Sequence, residues 1–192
     1  MRDFLAAIDR ATAIGKHAAA IIMLGFASAM RRCELAALEV GDITPAAGGI
    51  MVNVRRSKGD PHGVCRTIAI AQGRWPDSHP LAALDAWHRV RPVDAEHLFT
   101  RVHANGTADA EPINAASVVR IVKTRARAVG FTGDRVVAHS LRAGHATSAA
   151  MAGVPLDRIA AQSRHRDLAT LVNSHIRPIT QMQTTSSRHL GL

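Results

Sequence analysis

Guanidinium and imidazole side chains are the groups in this chain whose types and contexts favour a defined chemistry. The side chains concerned are Arg31, Lys58, His139, Arg142 and His165. Guanidinium groups donate paired hydrogen bonds to phosphate oxygens, and imidazole and ammonium groups transfer protons in enzyme sites. The sequence of 192 residues contains no tyrosine, so a phenolic nucleophile is excluded. These residues indicate a site that handles a phosphate group.

The sharpest of these signals is the pair His139 and Arg142 at the predicted start of a helix. Residues three apart share a helix face, and the free amide groups of a helix N-terminus favour an anion. A phosphate is therefore the expected ligand. The structural alternative makes His139 a core residue near the helix cap and Arg142 a surface charge.

Two other cationic candidates are weaker when each is considered alone. Arg31 follows an apolar helix, where a charge needs a partner or a ligand phosphate. Glu34 offers a simple ion-pair partner to Arg31 or Arg32. Lys58 lies at the tip of a predicted hairpin, where it is either a solvated turn residue or an ammonium group placed against a nucleic-acid backbone.

The charge of the chain favours a nucleic-acid partner. Lys and Arg number 24 against 15 Asp and Glu, for a net charge of +9. Arginine-rich proteins of this kind bind polyanions, although an arginine-rich proteome would produce the same balance. Phe and Trp number only 4 and 2, which is few for the stacking platforms of single-strand binders. Duplex DNA held through its phosphates is the expected target.

Hydrophobic periodicity predicts one mostly helical domain with a small antiparallel sheet inserted early. A buried helix is expected at 16–29 and a second helical stretch around 34–38. The β-branched runs 50–56 and 64–70 predict a hairpin, with a third strand around Ile43. After a helix at 80–90, residues 103–112 are predicted to form a polar loop. Further helices are expected at 113–129, 140–152, 155–164 and 167–176.

Four stretches of the chain together resemble the successive motif boxes of the tyrosine recombinase (phage integrase) family. They are Arg31-Arg32-Cys33-Glu34-Leu35, Lys58 in the hairpin, His139-Ser140-Leu141-Arg142, and Arg164-His165-Arg166-Asp167-Leu168-Ala169-Thr170. The resemblance runs from about Gly25 to Pro178. It implies the catalytic-domain fold of that family, mainly α with a small antiparallel β-sheet, and site-specific DNA recombination without a metal or other cofactor.

The resemblance also implies a role for each matching residue. Arg31 and Arg142 would clamp the oxygens of the scissile phosphate, where guanidinium groups suit the charge of a pentavalent transition state. Lys58 would protonate the departing 5′ oxygen. His139 would assist proton transfer from the nucleophile, and His165 would hydrogen-bond the phosphate.

The family's nucleophilic tyrosine commonly lies nine residues after the position of His165, and this chain has Ser174 there. The context His175-Ile176-Arg177-Pro178 matches the family's Tyr-Ile-Arg better, which places His175 at the nucleophile's position after one inserted residue. Imidazole attacks phosphorus in other enzymes, but the product would be a labile phosphoramidate. We therefore expect a chain that binds a recombination site and whose strand cleavage is lost or depends on His175.

The family pattern also predicts how the chain is organised. Residues 1–178 would form a catalytic-type domain, and residues 179–192 a C-terminal tail that resembles a segment docking on a neighbouring subunit. A homo-oligomer or a recombinase partner on DNA is therefore expected. Since few residues precede the first motif-bearing helix, we expect the N-terminal core-binding domain of the family to be absent and DNA affinity to be modest and salt-dependent.

Two other DNA-binding functions stay open. In the first, the chain would be a catalytically inactive accessory that pairs with an active recombinase or blocks its site. In the second, the spacing of Ala149, Gly153 and Ile159 is that of a helix-turn-helix regulator. The residues facing bases would then be Asp157, Arg158, Gln162 and Arg164.

Neither a membrane, a metal nor a small-molecule cofactor is predicted. The apolar stretch 18–29 is too short to span a bilayer, and residues 1–7 lack the features of a signal peptide. We therefore expect a cytoplasmic protein, associated with the nucleoid when bound to DNA. The pairs His62 with Cys65 and His139 with His145 lack the tight spacing of zinc sites.

Overall fold

Helices predominate in the part of the chain that the structure describes. The computed structural model describes residues 2–55, 65–131 and 140–176. The helices are α1 (Arg2–Ala6), α2 (Ala13–Ser28), α3 (Arg32–Ala36), α4 (Pro80–His88), α5 (Ala115–Ala128), α6 (Ser140–Met151), α7 (Leu156–Ser163) and α8 (Leu168–Ser174). The strands are β1 (Ile43–Ala46), β2 (Gly49–Val54), β3 (Arg66–Ala71), β4 (Thr100–Val102) and β5 (Ala108–Pro112). The predicted class, mainly α with a small antiparallel sheet, is confirmed.

Helix α2 is the central element of the core because it is apolar on nearly every side. Thr12 caps its first turn by accepting a hydrogen bond from the Gly15 amide at 3.1 Å. Residues 18–25 are all buried, and the helix packs against α4, α5 and α6. The buried helix predicted at 16–29 is confirmed. Within the described ranges, no helix is long and apolar enough to cross a bilayer.

Strands β1, β2 and β3 form an antiparallel sheet in that order, with one face on the helical core. Val52 lies opposite Ile43 in β1 and opposite Ile68 in β3. Val52, Val54, Ile68 and Ile70 are buried, as the period of two in a half-buried strand requires. The predicted hairpin and its third strand are confirmed. Residues 56–64, which connect β2 to β3 and include Lys58, lie outside the described residues.

The prediction of a polar loop at 103–112 is wrong in part, because most of these residues belong to a second hairpin. Strands β4 and β5 pair antiparallel, with Val102 opposite Ala108. Gly106 supplies a turn residue at φ 87°. Arg101 donates two hydrogen bonds to Asp109 across the pair, at 2.8 and 2.7 Å. Since β5 is polar and mostly exposed, no apolar alternation marks it in the sequence.

Helices α6, α7 and α8 pack around a small core of their own. Gly153, at φ 77°, follows α6, and Pro155 immediately precedes α7. Asp167 caps α8 by accepting from the Ala169 and Thr170 amides. The buried residues of this core are Ala146, Ile159, Ala160 and Leu171. Their packing fixes the positions of the residues at both ends of α8.

A buried histidine in α2 makes the fold sensitive to acid. His17 is 4% exposed, its ring packs against Trp87 and Phe99, and burial lowers its pKa to about 4. The unfolded chain binds the proton below a pH of about 6.5, whereas the folded protein does so only near pH 4. The free energy of unfolding therefore falls as the pH decreases through this window, by up to about 3 kcal/mol.

We expect His17→Phe to remove the part of the acid sensitivity that His17 causes, while keeping an aromatic ring beside Trp87. Between pH 7 and 4.5 the unmodified protein should lose about 2 kcal/mol more stability than the variant, measured by urea denaturation at each pH. His88→Phe, which changes an exposed histidine at the end of α4, is the control and should keep the full dependence. Equal pH dependence in the unmodified protein and in His17→Phe would contradict the assignment.

Candidate functional site

The fold brings Arg31, Arg142, His165 and His175 together from four separate stretches of the chain. Nε of Arg142 lies 3.4 Å from Nε2 of His165, and the His165 and His175 ring centroids are 4.3 Å apart. Nη1 of Arg142 donates to the carbonyl oxygen of Ala29 at 2.8 Å, two residues before Arg31. The other two candidates, Lys58 and His139, lie outside the described residues.

Arg31 is placed by the start of α3. It is the residue before the helix, with an extended backbone (φ −71°, ψ 150°). Its amide donates to Oε2 of Glu34 at 2.8 Å, and its Nη1 donates to Oε1 of Glu34 at 2.7 Å. The ion pair that the sequence offered as the structural alternative therefore exists. However, the Arg31 side chain is 27% exposed while that of Glu34 is 0% exposed, so Arg31 has access to solvent as well as to its partner.

Arg142 is a buried cation whose charge is incompletely balanced. It is 2% exposed, which excludes the surface charge of the structural alternative. Its Nη2 is buried without a hydrogen-bond partner among the described residues. Burial lowers the pKa of Arg142 to about 10, the charges of Arg31 and Arg164 act in the same direction, and that of Glu34 opposes them. A guanidinium in this condition favours an anionic ligand.

The hydrogen bonds of His165 define its tautomer. The hydroxyl of Ser163 donates to the carbonyl oxygen of Ile159 at 2.6 Å. It must therefore accept from Nδ1 of His165, 2.7 Å away. The proton is then on Nδ1, and Nε2 accepts from Nε of Arg142. Burial, followed by the charge of Arg142, lowers the pKa of His165 to about 3, so this imidazole is neutral at physiological pH.

His175, the residue that follows α8, is the fourth member of this group. Its amide donates to the Leu171 carbonyl at 3.1 Å, and its carbonyl accepts from the Thr147 hydroxyl of α6 at 3.2 Å. Its Nδ1 lies 3.4 Å from the carbonyl oxygen of Thr170. Since a carbonyl only accepts, Nδ1 carries the proton of this contact.

The sequence did not reveal the part that Arg164 takes in this site. Its Nη2 donates to Oε2 of Glu34 at 2.5 Å, and its side chain is 4% exposed. Burial lowers the pKa of Arg164, while the charge of Glu34 raises it. We call Arg31, Arg142 and Arg164 the arginine cluster. Arg164 is adjacent to His165 in its motif, but no local pattern links it to a carboxylate 130 positions earlier.

Two residues that the helix-turn-helix interpretation directed to DNA bases are bound to other parts of the fold instead. Gln162 donates to the carbonyl oxygens of Ala27 and Ala69 at 3.2 and 3.1 Å. Arg164 is held by Glu34. The helical hairpin of α6 and α7 exists, but Gln162 and Arg164 attach it to the rest of the fold. That part of the interpretation is wrong.

The charges of the site favour an anionic ligand. The arginine cluster brings three positive charges around the carboxylate of Glu34. A hydrogen-bonded, neutral imidazole stands beside it. In the described segments no group of three or more His, Cys, Asp or Glu side chains could hold a metal ion. In the described part of this site, arginine supplies the positive charge.

Comparisons with known proteins identify relatives of this chain. The model of the phage integrase family matches residues 1–178. An integrase/recombinase xerD homolog of Selenomonas ruminantium is 31% identical over 147 residues, which are 77% of this chain and 43% of that protein. The chain thus spans less than half the length of this curated relative.

Solved structures share the fold at low sequence identity. The XerA recombinase aligns over 97% of this chain and 60% of its own, with a TM-score of 0.70 and 19% identity. The XerH site-specific recombinase, bound to its difH substrate in a pre-cleavage complex, aligns over 88% of this chain and 46% of its own, with a TM-score of 0.66 and 21% identity. By the family model that covers residues 1–178, the chain belongs to the phage integrase family of tyrosine recombinases.

Proposed function

We propose that this chain binds duplex DNA at a recombination site and holds one backbone phosphate between Arg31, Arg142 and His165. The observation that carries the proposal is Arg142, a buried guanidinium beside two other cations, whose Nη2 has no partner among the described residues. A phosphate bound there supplies the missing acceptor and offsets the excess positive charge. The pre-cleavage complex of XerH with difH supports a DNA ligand for a protein of this fold.

The arrangement assigns a separate task to each group. Nη2 of Arg142 donates to one phosphate oxygen, and the exposed donors of Arg31 bind a second oxygen. Nε2 of His165 becomes a donor to the phosphate when the anion raises the proton affinity of the ring. By the family resemblance, Lys58 protonates the departing 5′ oxygen and His139 assists proton transfer from the nucleophile.

Strand cleavage through His175 is a second candidate function, favoured by the position of its imidazole 4.3 Å from His165. In that step Nε2 of His175 forms a bond to phosphorus and the bond from phosphorus to the 5′ oxygen breaks. The 5′ oxygen takes a proton from Lys58, and a phosphoramidate joins the 3′ end to the protein. The opposing candidate is an inactive accessory that pairs with an active recombinase or blocks its site.

The organisation of the chain is part of the same proposal. We assign residues 1–178 to a catalytic-type domain, and residues 179–192 to a tail that docks on a neighbouring recombinase subunit on DNA. The support for the tail is its resemblance to the C-terminal segment of the family. Neither a metal nor a small-molecule cofactor has a part in the proposed binding.

The test of DNA binding compares two arginines that differ only in position. Arg31→Gln should weaken binding to a fluorescein-labelled duplex about tenfold at roughly 100 mM KCl and reduce the slope of log Kd against log salt by about one. Glu34 keeps Arg164 as its partner in this variant, so the fold should be retained. Fluorescence anisotropy over a range of about 50 to 300 mM KCl measures both quantities.

The matched control is Arg89→Gln, an exposed arginine at the end of α4. It removes the same charge and should leave affinity within about twofold and the slope nearly unchanged. Equal losses in both variants would mean that net charge alone binds the DNA, and the proposed phosphate site would be wrong.

A further inference from the structure

Arg164 has a backbone conformation that arginine rarely adopts. It follows α7 with φ 57° and ψ 42°, in the left-handed region, where glycine is tolerated at lower cost than any residue with a Cβ. Its side chain nevertheless turns inward and is 4% exposed. A strained residue of this kind persists when its surroundings require it, so the contacts of the Arg164 guanidinium should explain why arginine stands at this position.

Those contacts converge on Glu34, whose side chain is fully buried. Its Oε1 accepts from Nη1 of Arg31. Its Oε2 accepts from the Arg31 amide and from Nη2 of Arg164. The two guanidinium groups that share this carboxylate differ in exposure: 27% of the Arg31 side chain is accessible, against 4% for Arg164.

Their contacts separate the roles of the two arginines. Nη2 of Arg164 donates to Glu34 and its Nη1 donates to the Gln162 carbonyl, whereas Arg31 binds Glu34 through Nη1 and keeps part of its side chain accessible to solvent. To donate fully to a phosphate, Arg31 must weaken its hold on Glu34. A buried carboxylate that loses its only cation is strongly destabilised, so with Arg31 as sole partner, Glu34 would compete with the phosphate for the same guanidinium.

We propose that Arg164 is a positioning residue: it neutralises Glu34 permanently, so that Arg31 is available to the phosphate. The inference rests on the proposed phosphate site and adds to it a residue that holds the site ready without touching the ligand. Glu34 can then accept from the Arg31 amide and orient the Arg31 side chain. It does not compete with the phosphate for the Arg31 guanidinium.

The test uses variants of the full chain and inorganic phosphate as the probe. Binding is followed by two-dimensional NMR of the arginine Nε–Hε resonances, with the Arg31 resonance assigned by its loss in Arg31→Lys. Arg164→Gly relieves the left-handed backbone but leaves Glu34 to Arg31, and should weaken phosphate binding about tenfold. Arg164→Lys keeps a cation beside Glu34 and should bind within about threefold of the unmodified protein.

The deciding variant is Arg164→Gly combined with Glu34→Gln. Glutamine keeps the capping contact to the Arg31 amide but carries no charge that competes for the Arg31 guanidinium. The double variant should therefore recover the affinity that Arg164→Gly loses, with the Arg31 resonance shifting on phosphate addition as in the unmodified protein. If Arg164 bound the phosphate itself, Glu34→Gln would strengthen binding no more in the Arg164→Gly background than in the otherwise unmodified protein.

The outcomes separate this inference from the function on which it rests. Absence of saturable phosphate binding at Arg31 in the unmodified protein would overturn both. Binding by the unmodified protein and equally tight binding by Arg164→Gly would overturn only the positioning role. If Arg164→Gly fails to fold, the double variant still decides, because it no longer buries a carboxylate that Arg31 alone must balance. Its failure to bind phosphate would overturn the role.

Discussion

Replacing Arg142 with methionine should abolish phosphate binding by the cluster and at the same time make the unliganded protein more stable. The two effects have one cause. The folded protein holds the Arg142 guanidinium at 2% exposure, beside two further cations and with one nitrogen unpartnered among the described residues. Such a cation is costly until an anion binds, and methionine fills similar space without a charge.

The sizes of two opposing free-energy terms decide whether Arg142→Met stabilises or destabilises the unliganded protein. The folded protein lowers the pKa of Arg142 to about 10. The folded protein therefore binds this proton less tightly than the unfolded chain does. At neutral pH the arginine is charged in both states, so its charge lowers the free energy of unfolding by the full amount. This amount is about 3 kcal/mol. Methionine also deprives the buried Ala29 carbonyl of its donor, at a cost of about 1–3 kcal/mol. The expected net gain is about 1 kcal/mol, or a rise in Tm of about 2–4 °C.

Thermal denaturation in matched chloride and phosphate buffers separates the two effects. In phosphate the unmodified protein should gain stability by mass action, while Arg142→Met should show the same Tm in both buffers. Arg158→Met, at an exposed position of α7, is the control and should respond to phosphate like the unmodified protein. A fall in Tm of several degrees for Arg142→Met in chloride would show that this arginine is structural, contrary to its assignment to the ligand.

The local patterns of the sequence were sufficient for most of the helices and for the three-stranded sheet. The apolar run of α2, Gly153 before α7 and the Asp167 cap each act within a few residues, so their structural consequences follow from neighbours in the chain. The hairpin of β4 and β5 escaped prediction because its strands are short and β5 carries no buried apolar side. There, pairing rather than burial defines the strands.

The same distinction between local patterns and long-range packing applies to the residues of the candidate site. Arg31, Arg142 and His165 belong to motifs with recognisable spacing, and the structure places them together. The ion pair of Arg164 with Glu34 joins residues 130 positions apart, and no local pattern encodes it. The tautomer of His165 likewise depends on a hydrogen bond that Ser163 gives to Ile159. Long-range partners and proton positions emerge only from three-dimensional packing.

The second large effect that we expect is DNA strand cleavage after a tyrosine is placed at position 175. With His175→Tyr, we expect a covalent protein–DNA complex on nicked duplexes that lose their short 5′ fragment on cleavage and so cannot religate. Position 175 follows α8 with its amide bonded to Leu171, and its ring lies beside His165. A phenol there is longer than imidazole and forms an ester that survives denaturation, whereas a histidine adduct is labile. Nicked duplexes of mixed sequence allow the experiment to be run on a population of targets rather than on one chosen site.

Three variants make the experiment decisive. His175→Phe provides an aromatic ring without a nucleophile and should give no complex on a denaturing gel. Ser174→Tyr tests the alternative alignment, nine residues after His165, and should also give none, because the context His175-Ile176-Arg177 places the nucleophile one residue later. A complex with the unmodified chain would establish histidine as the nucleophile. A complex with Ser174→Tyr alone would move the nucleophile's position to 174, and a complex with none of the variants would contradict the placement of His175. Cleavage only by His175→Tyr would mean that the phosphate site is intact and that this chain holds DNA without cutting it.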